Sequence, residues 1–173
     1  MFILAKCSQS SISIPPSIIN LLKKQAELLG VPIEDIVLER LLVDLDPEDK
    51  AKEYISVASS LLEQAKIELK RGDLRQASEK IWGAIALSVK AFAYKHDKLR
   101  LSSHGELWEY KDKLVKVFGE WVRECWNAGV HMHVNFYEGW ATKSDIIDAI
   151  KKAERLVEAI RLKILTKTEE DST

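Results

Sequence analysis

The sequence predicts an all-α antiparallel helical bundle preceded by a short N-terminal strand-helix-helix arm. Apolar residues recur at helical spacing through several long stretches, and capping residues or glycines mark where these stretches begin and end. Two of the longest stretches are separated only by Gly72 and Asp73. Because a connection this short forces two helices into an antiparallel hairpin, we expect a bundle built around one apolar core.

Three segments are expected along the 173 residues. Residues 1–45 are the arm, a candidate dimerisation element, and residues 46–165 are the helical bundle. Residues 166–173 read TKTEEDST and are expected to be a disordered polar tail. A chain of this length is long enough to bury a substantial core in a single domain.

The arm is expected to begin with a short strand at residues 11–14, SISI, where polar and apolar side chains alternate. Ser17 is suited to cap a helix that ends at Gly30, and a second helix is expected over residues 32–42. The apolar residues expected to face inward are Ile18, Leu21, Leu22, Ala26, Leu29, Ile33, Ile36, Val37 and Leu41.

The bundle is expected to contain five helices, four of which begin at a capping residue. These helices cover residues 47–71, 74–95, 104–118, 120–130 and 144–165. Asp46, Asp73, Ser103 and Thr142 are suited to accept hydrogen bonds from the first backbone N–H groups of four of them, and Ser144 is an alternative cap for the last. Residues 133–142 are expected to be irregular.

Composition argues against several classes of protein. The net charge of −1 provides no global basic field for nucleic acid. Cys7 and Cys125 lie far apart without CxxC spacing, which favours reduced thiols over a disulfide or a zinc site. No run of about 18 apolar residues indicates a transmembrane helix, and the first residues lack the pattern of a signal peptide. We therefore expect a cytoplasmic protein without membrane association.

Residues 121–140, WVRECWNAGVHMHVNFYEGW, are the best candidate for a functional site. They hold three of the five tryptophans and two of the four histidines, together with amides and charged groups. Aromatic and polar side chains at this density suit either ligand contact or the packing of an irregular segment onto the bundle. The candidate binding residues are Trp126, Asn135, Tyr137, Glu138 and Trp140.

Four residues of this segment are candidate catalytic residues: His131, His133, Asn127 and Arg123. Metal-free cleavage of RNA needs a base, an acid and a cation beside the phosphate. Histidine suits the first two roles near neutral pH, and arginine suits the third. If the helix continues through Val130, the spacing of Arg123, Asn127 and His131 places them on one face over about 12 Å.

Two further interpretations of this segment stay open. The same residues could be purely structural, closing a loop through hydrogen bonds to the backbone. His131 and His133 could bind a metal if they lay on a strand, with Glu138 or Cys125 as a third ligand, whereas on a helix they would diverge. No Gly-rich phosphate loop, nucleophile elbow or HExxH motif occurs in the sequence, and no cofactor is predicted.

Three motifs give the chain a family resemblance. GDLRQASEKIWGAIALSVKAFA, HGELWEY and HVNFYEGW follow one another in this order, and with them residues 33–160 resemble the PaREP family of archaeal helical proteins. This resemblance implies an all-α bundle and a homodimer. It also implies a relation to the HEPN superfamily of helical bundles, many of which are metal-independent ribonucleases encoded beside a nucleotidyltransferase-like partner.

The HEPN signature is an arginine, a polar residue and, a few residues later, a histidine. Here Asn127 matches the polar position and His131 the histidine, while Trp126 stands at the arginine position and the nearest arginine is Arg123. The resemblance thus implies either a dimeric binding or assembly protein that contacts RNA, a nucleotide or a protein partner, or a divergent ribonuclease.

The arm has a resemblance of its own. A strand, a helix, a glycine turn and a second helix within some 35 residues resemble a ribbon-helix-helix module, in which paired strands of two chains enter the DNA major groove. The strand here offers Ser11 and Ser13 rather than basic side chains. A DNA-binding module is therefore a third hypothesis, beside a dimerisation arm.

Overall fold

The computed structural model describes residues 12–166, and this part of the chain confirms the predicted all-α class. Cys7, Ser11 and residues 167–173 of the expected tail lie outside the described residues. None of the described helices has the length and apolar character needed to cross a bilayer. The helices are α1 (Pro16–Leu29), α2 (Ile33–Leu41), α3 (Pro47–Arg71), α4 (Leu74–Asp97), α5 (His104–Phe118), α6 (Trp121–Glu138) and α7 (Lys143–Leu165).

Local signals place the α3–α4 hairpin as predicted. The Asp46 side chain accepts hydrogen bonds from two backbone N–H groups at 2.9 and 3.0 Å, and Pro47 occupies the first turn of α3. Gly72 ends α3 with a left-handed φ of 84°, which glycine adopts without strain. Asp73 then caps α4, so the two long helices run antiparallel.

The core is organised around α4. This helix packs against α3, α6 and α7, and α5 covers part of it. Every residue from 81 to 94 is buried. A helix enclosed in this way is expected to be apolar all round, and Lys90 is the one charged residue in that run.

The end of α6 differs from the prediction. Residues 133–138 are helical rather than irregular, and the helix continues to Glu138, where Gly139 ends it with a φ of 72°. Gly129 does not interrupt the helix because it lies where α6 approaches α4 closely. A Cβ atom there would lie 2.7 Å from Cδ1 of Ile85. Tertiary packing therefore outweighs the low helix propensity of glycine.

The arm consists of α1 and α2 joined at Gly30. Residues 12–14 form no strand in the described part of the chain, and α1 begins at Pro16, so Ser17 is not its cap. A small cluster of Ala26, Val31 and Ile36 holds the two helices together. The arm is fixed to the bundle by polar contacts that include an ion pair of 2.7 Å between Glu34 and Lys80.

The predicted inward face of the arm is correct for Ala26 and Ile36, and Leu22 and Ile33 pack against them, but it is wrong at four of its nine positions. Ile18, Leu21 and Leu29 are 45%, 57% and 41% exposed, and α1 buries only Ala26 fully. In α2 the buried leucine is Leu38, whereas Leu41 is exposed. Apolar residues therefore do recur at helical spacing in α1, but the bundle of this chain does not bury all of them.

Candidate functional site

Helix α6 places Arg123, Asn127 and His131 on one face, because it continues through Val130. Arg123 is held by two carboxylates: its Nε donates to Glu120 and its Nη1 to Asp112, each at 2.8 Å. Both ion pairs are solvent-exposed. A phosphate group that reached Arg123 would have to compete with them.

Asn127 and His131 open on a cavity of about 320 Å³ between α6 and α7, with the half-exposed Trp140 also in its lining. We call it the acidic cavity. Its other charged residues are Glu124, Asp145, Asp148 and Lys152. With three carboxylates and one ammonium, its potential opposes a phosphate and favours a cation.

Trp126 and Asn135 lie in the interior, away from any ligand surface. Trp126 is 0% exposed and meets Trp82 and Trp108 edge-on, with ring centroids 5.6 and 5.4 Å away. The amide of Asn135 donates to Oγ of Ser78 at 2.8 Å and accepts from the backbone N–H of Ala141 at 2.6 Å. Asn135 thus links Ala141, in the connection between α6 and α7, to Ser78 of α4.

His131 and His133 diverge because they lie on a helix, so the HxH pair forms no joint site. In residues 12–166, no three His, Cys, Asp or Glu side chains come together as a group that could hold a metal ion. Cys125 is buried, and burial raises the pKa of its thiol to about 11, so it is not a thiolate at neutral pH. Glu138 is exposed and lines neither the acidic cavity nor the groove described next.

His133 and Tyr137 face a second cavity, of about 360 Å³, between the arm and the bundle. We call it the arm groove. Its apolar lining is contributed by Ala26, Val31, Ile33 and Phe136. Its charged lining consists of Lys23, Glu27, Glu34, Glu79 and Lys80. A groove of this size with apolar walls and a few polar groups has the properties of a binding site.

Two polar atoms in this groove lack partners. Oε2 of Glu79 and Nδ1 of His133 lie 3.9 Å apart, and neither has a hydrogen bond within the described residues although both atoms are buried. An unpaired buried polar atom is costly, by about 1–3 kcal/mol. A donor or hydroxyl group placed about 2.8 Å from each atom would satisfy both. The Trp82 ring packs against His133 at a centroid distance of 5.1 Å and fixes its position.

A second polar cluster lies beneath the arm, and none of its residues was predicted from the sequence as part of a site. Asp35 of α2 and Lys90 of α4 are 2% and 1% exposed, and they form an ion pair. Burial raises the pKa of Asp35, and the Lys90 ammonium offsets part of that rise. The Tyr54 hydroxyl lies 3.0 Å from Oδ1 of Asp35 and 3.0 Å from Oε1 of Glu39. Its single proton therefore couples the two carboxylates.

Glu39 links this pair to the surface. Its Oε1 accepts from the Tyr94 hydroxyl at 2.9 Å, and its Oε2 accepts from Nε of Arg100 at 2.5 Å. Burial opposes the charged form of Glu39, but the hydrogen bonds from Tyr94, Tyr54 and Arg100 outweigh it and hold its pKa below the ordinary value. Both oxygens of the Glu39 carboxylate thus have hydrogen-bond donors within the protein.

One sequence signal could have revealed part of this cluster. Lys90 interrupts the otherwise uncharged stretch AIALSVKAFA, and Asp35 and Glu39 are spaced to share one face of α2. A lysine in a run that must be buried needs a carboxylate partner. The identity of that partner, 55 residues away, is set by the docking of the arm.

Comparison with known proteins identifies the family. The model of the archaeal PaREP1/PaREP8 family matches residues 53–157, which include α4, α5, α6 and most of α3 and α7. No curated protein and no solved structure matches the chain. Because the matched segment is more than half of the 173 residues, the chain belongs to the archaeal PaREP1/PaREP8 family.

Proposed function

We propose that this protein is a non-enzymatic assembly protein that forms a homodimer through its arm and binds a further protein partner. The observation that carries the proposal is the apolar surface of the arm. Residues 12–166 contain 19 exposed large apolar side chains, and nine of these lie in the short arm segment 12–45. An apolar concentration of this kind is typical of protein interaction sites.

The spacing of these residues supports pairing between two copies. Ile18 and Leu21 are three residues apart in α1, so they share one side of this helix. A helix of 14 residues that buries a single alanine gains little stability from its own chain. Packing the same face of a second copy against it gives a self-complementary interface, as twofold symmetry requires.

Light scattering after gel filtration tests the dimer. We expect wild-type protein at about twice the chain mass of 19.7 kDa. The double variant Ile18→Ser/Leu21→Ser should elute as a monomer at micromolar concentration, because it removes the apolar face. The matched control Ile147→Ser/Leu162→Ser, at sites of similar exposure on α7, should remain dimeric. A monomeric wild type, or an arm variant that stays dimeric, would reject the proposal.

The charges of the two cavities favour a protein partner over RNA or a nucleotide. Carboxylates outnumber ammonium groups in both the acidic cavity and the arm groove. The groove also presents the unpaired Glu79 and His133 atoms between apolar walls. A partner segment with apolar side chains and one lysine or arginine would complement these properties, because its cation could donate to both unpaired atoms.

A metal-independent ribonuclease is the second candidate function, and the position of Glu79 beside His133 favours it. A carboxylate next to an imidazole can orient it as a general base. The helical bundle also supports the expected relation to the HEPN superfamily. Our first proposal predicts no cleavage of RNA in EDTA above a buffer control. If the His131→Ala variant still cleaves RNA and a correctly folded His133→Ala variant does not, the first proposal is wrong and the protein is a ribonuclease that uses His133.

A further inference from the structure

A third cavity, of about 410 Å³, lies over the buried Asp35–Lys90 pair. We call it the Lys90 cavity. Helices α1 and α2, the middle of α4 and the segment before α5 supply its lining. Three of its side chains are cationic, namely Arg40, Lys90 and Arg100, and two are anionic, namely Asp35 and Glu39. Its lining therefore carries a net charge of +1, in contrast to the two cavities on α6.

We propose that the Lys90 cavity binds a small organic oxyanion, a carboxylate or phosphate carried on a short apolar body. This binding is separate from dimer formation and from the arm groove. The site would make the protein a carrier or sensor of such an acid.

Hydrogen-bond donors exceed acceptors in this cavity. The Lys90 ammonium can donate three hydrogen bonds, and Asp35 is its one partner within the described residues. Each carboxylate oxygen already has a donor: Asp35 accepts from Lys90 and Tyr54, and Glu39 accepts from the Tyr94 hydroxyl and Arg100. A ligand must therefore bring acceptor oxygens rather than further donors.

The guanidinium groups have spare capacity in the same place. Arg100 uses Nε for Glu39, and Arg40 uses Nη2 for Oε1 of Gln25 at 2.7 Å. Guanidinium presents five N–H donors in a planar fork, which suits the paired oxygens of a carboxylate or phosphate. A single negative charge would also neutralise the lining.

The remaining walls are aliphatic. Leu28, Leu29 and Ile36 line the cavity beside the charged groups. The volume of about 410 Å³ exceeds that of an inorganic ion and lies within the range of small-molecule sites. An apolar body attached to the oxyanion would cover these side chains, so an amphipathic acid fits better than free phosphate.

Calorimetric titration with three probes of equal chain length tests the proposal. Octanoate and octyl phosphate carry the two oxyanions, and octanol carries neither. We expect at least one anion to bind saturably with one site per chain, about tenfold or more tightly than octanol, because a charged hydrogen bond adds that much. The stronger of the two anions identifies the headgroup. Equal binding of octanol, or no saturable binding of either anion, overturns the proposal.

Variants locate the site without disturbing the core. Arg40→Gln and Arg100→Gln alter exposed side chains at the cavity and are each expected to weaken binding of the anion about tenfold. Arg161→Gln breaks a comparable ion pair with Glu158 on α7 and should leave binding unchanged. Binding that resists both cavity variants would place the anion elsewhere. The oligomeric state measured on the same samples distinguishes a failed ligand site from a failed dimer.

Discussion

Replacing Lys90 with methionine is expected to lower the free energy of unfolding by about 3–5 kcal/mol at pH 7. The substitution keeps an unbranched side chain of similar size but leaves the Asp35 carboxylate buried without its counter-charge. The Tyr54 hydroxyl cannot compensate, because its single proton is shared with Glu39. Urea unfolding followed by circular dichroism measures the loss.

Two further variants separate the ion pair from general packing. Asp35→Leu/Lys90→Met removes both charges and is expected to recover most of the loss, since the cost lies in the unpaired charge. Lys52→Met removes an exposed lysine from its pair with Asp49 and should not change stability measurably. A loss in Lys90→Met no larger than in Lys52→Met would show that the buried pair is not important for folding.

The effect of Lys90→Met should depend on pH. Burial raises the pKa of Asp35 above its ordinary 3.8, and Lys90 and the weaker Tyr54 hydrogen bond offset part of that rise. Without Lys90 the pKa of Asp35 should therefore rise further. A carboxyl group with a raised pKa in the folded state stabilises the fold when protonated, and this contribution is lost as pH rises through the folded-state pKa. The stability difference from wild type should therefore narrow as pH falls from 7 towards 4. A difference independent of pH would contradict a charged Asp35 in the variant.

The sequence predicted those features that depend on neighbouring residues. The Asp46 and Asp73 caps and the Gly72 turn act within a few residues, so the α3–α4 hairpin follows from them. The burial of the apolar face of α1 was predicted wrongly for a different reason. A periodic apolar stripe shows that a surface is buried somewhere, but not that the same chain buries it. Leu21 belongs to this stripe and yet remains 57% exposed in the single chain.

The candidate site shows the same limit. His133 and Tyr137 were recognised from local density of aromatic and polar residues, but their neighbour Glu79 comes from α4 and the apolar walls come partly from the arm. Helix continuation past Gly129 depended on its fit against Ile85, which no local propensity encodes. Once α6 is continuous, His131 and His133 must diverge, and a joint site becomes impossible.

Replacing Trp126 with alanine is expected to destabilise the fold by about 3–5 kcal/mol, the usual cost of removing a large buried aromatic side chain. Trp126 is fully buried and makes edge-to-face contacts with Trp82 and Trp108 in one aromatic cluster between α4, α5 and α6. Its indole N–H has no partner within the described residues, so Trp126→Phe loses volume but no hydrogen bond and should cost less. Thermal and urea unfolding rank the variants.

Trp140→Ala provides the matched control, because it removes the same side chain from a site that is 52% exposed at the acidic cavity. We expect stability close to wild type. The contrast bears on the proposed ribonuclease, since the resemblance to HEPN proteins would require an arginine at position 126, where this chain has a tryptophan. A position that contributes several kcal/mol through burial cannot present a cation to phosphate, and Arg123 is already paired with Glu120 and Asp112. Equal stability losses in both variants would contradict this division between core and surface.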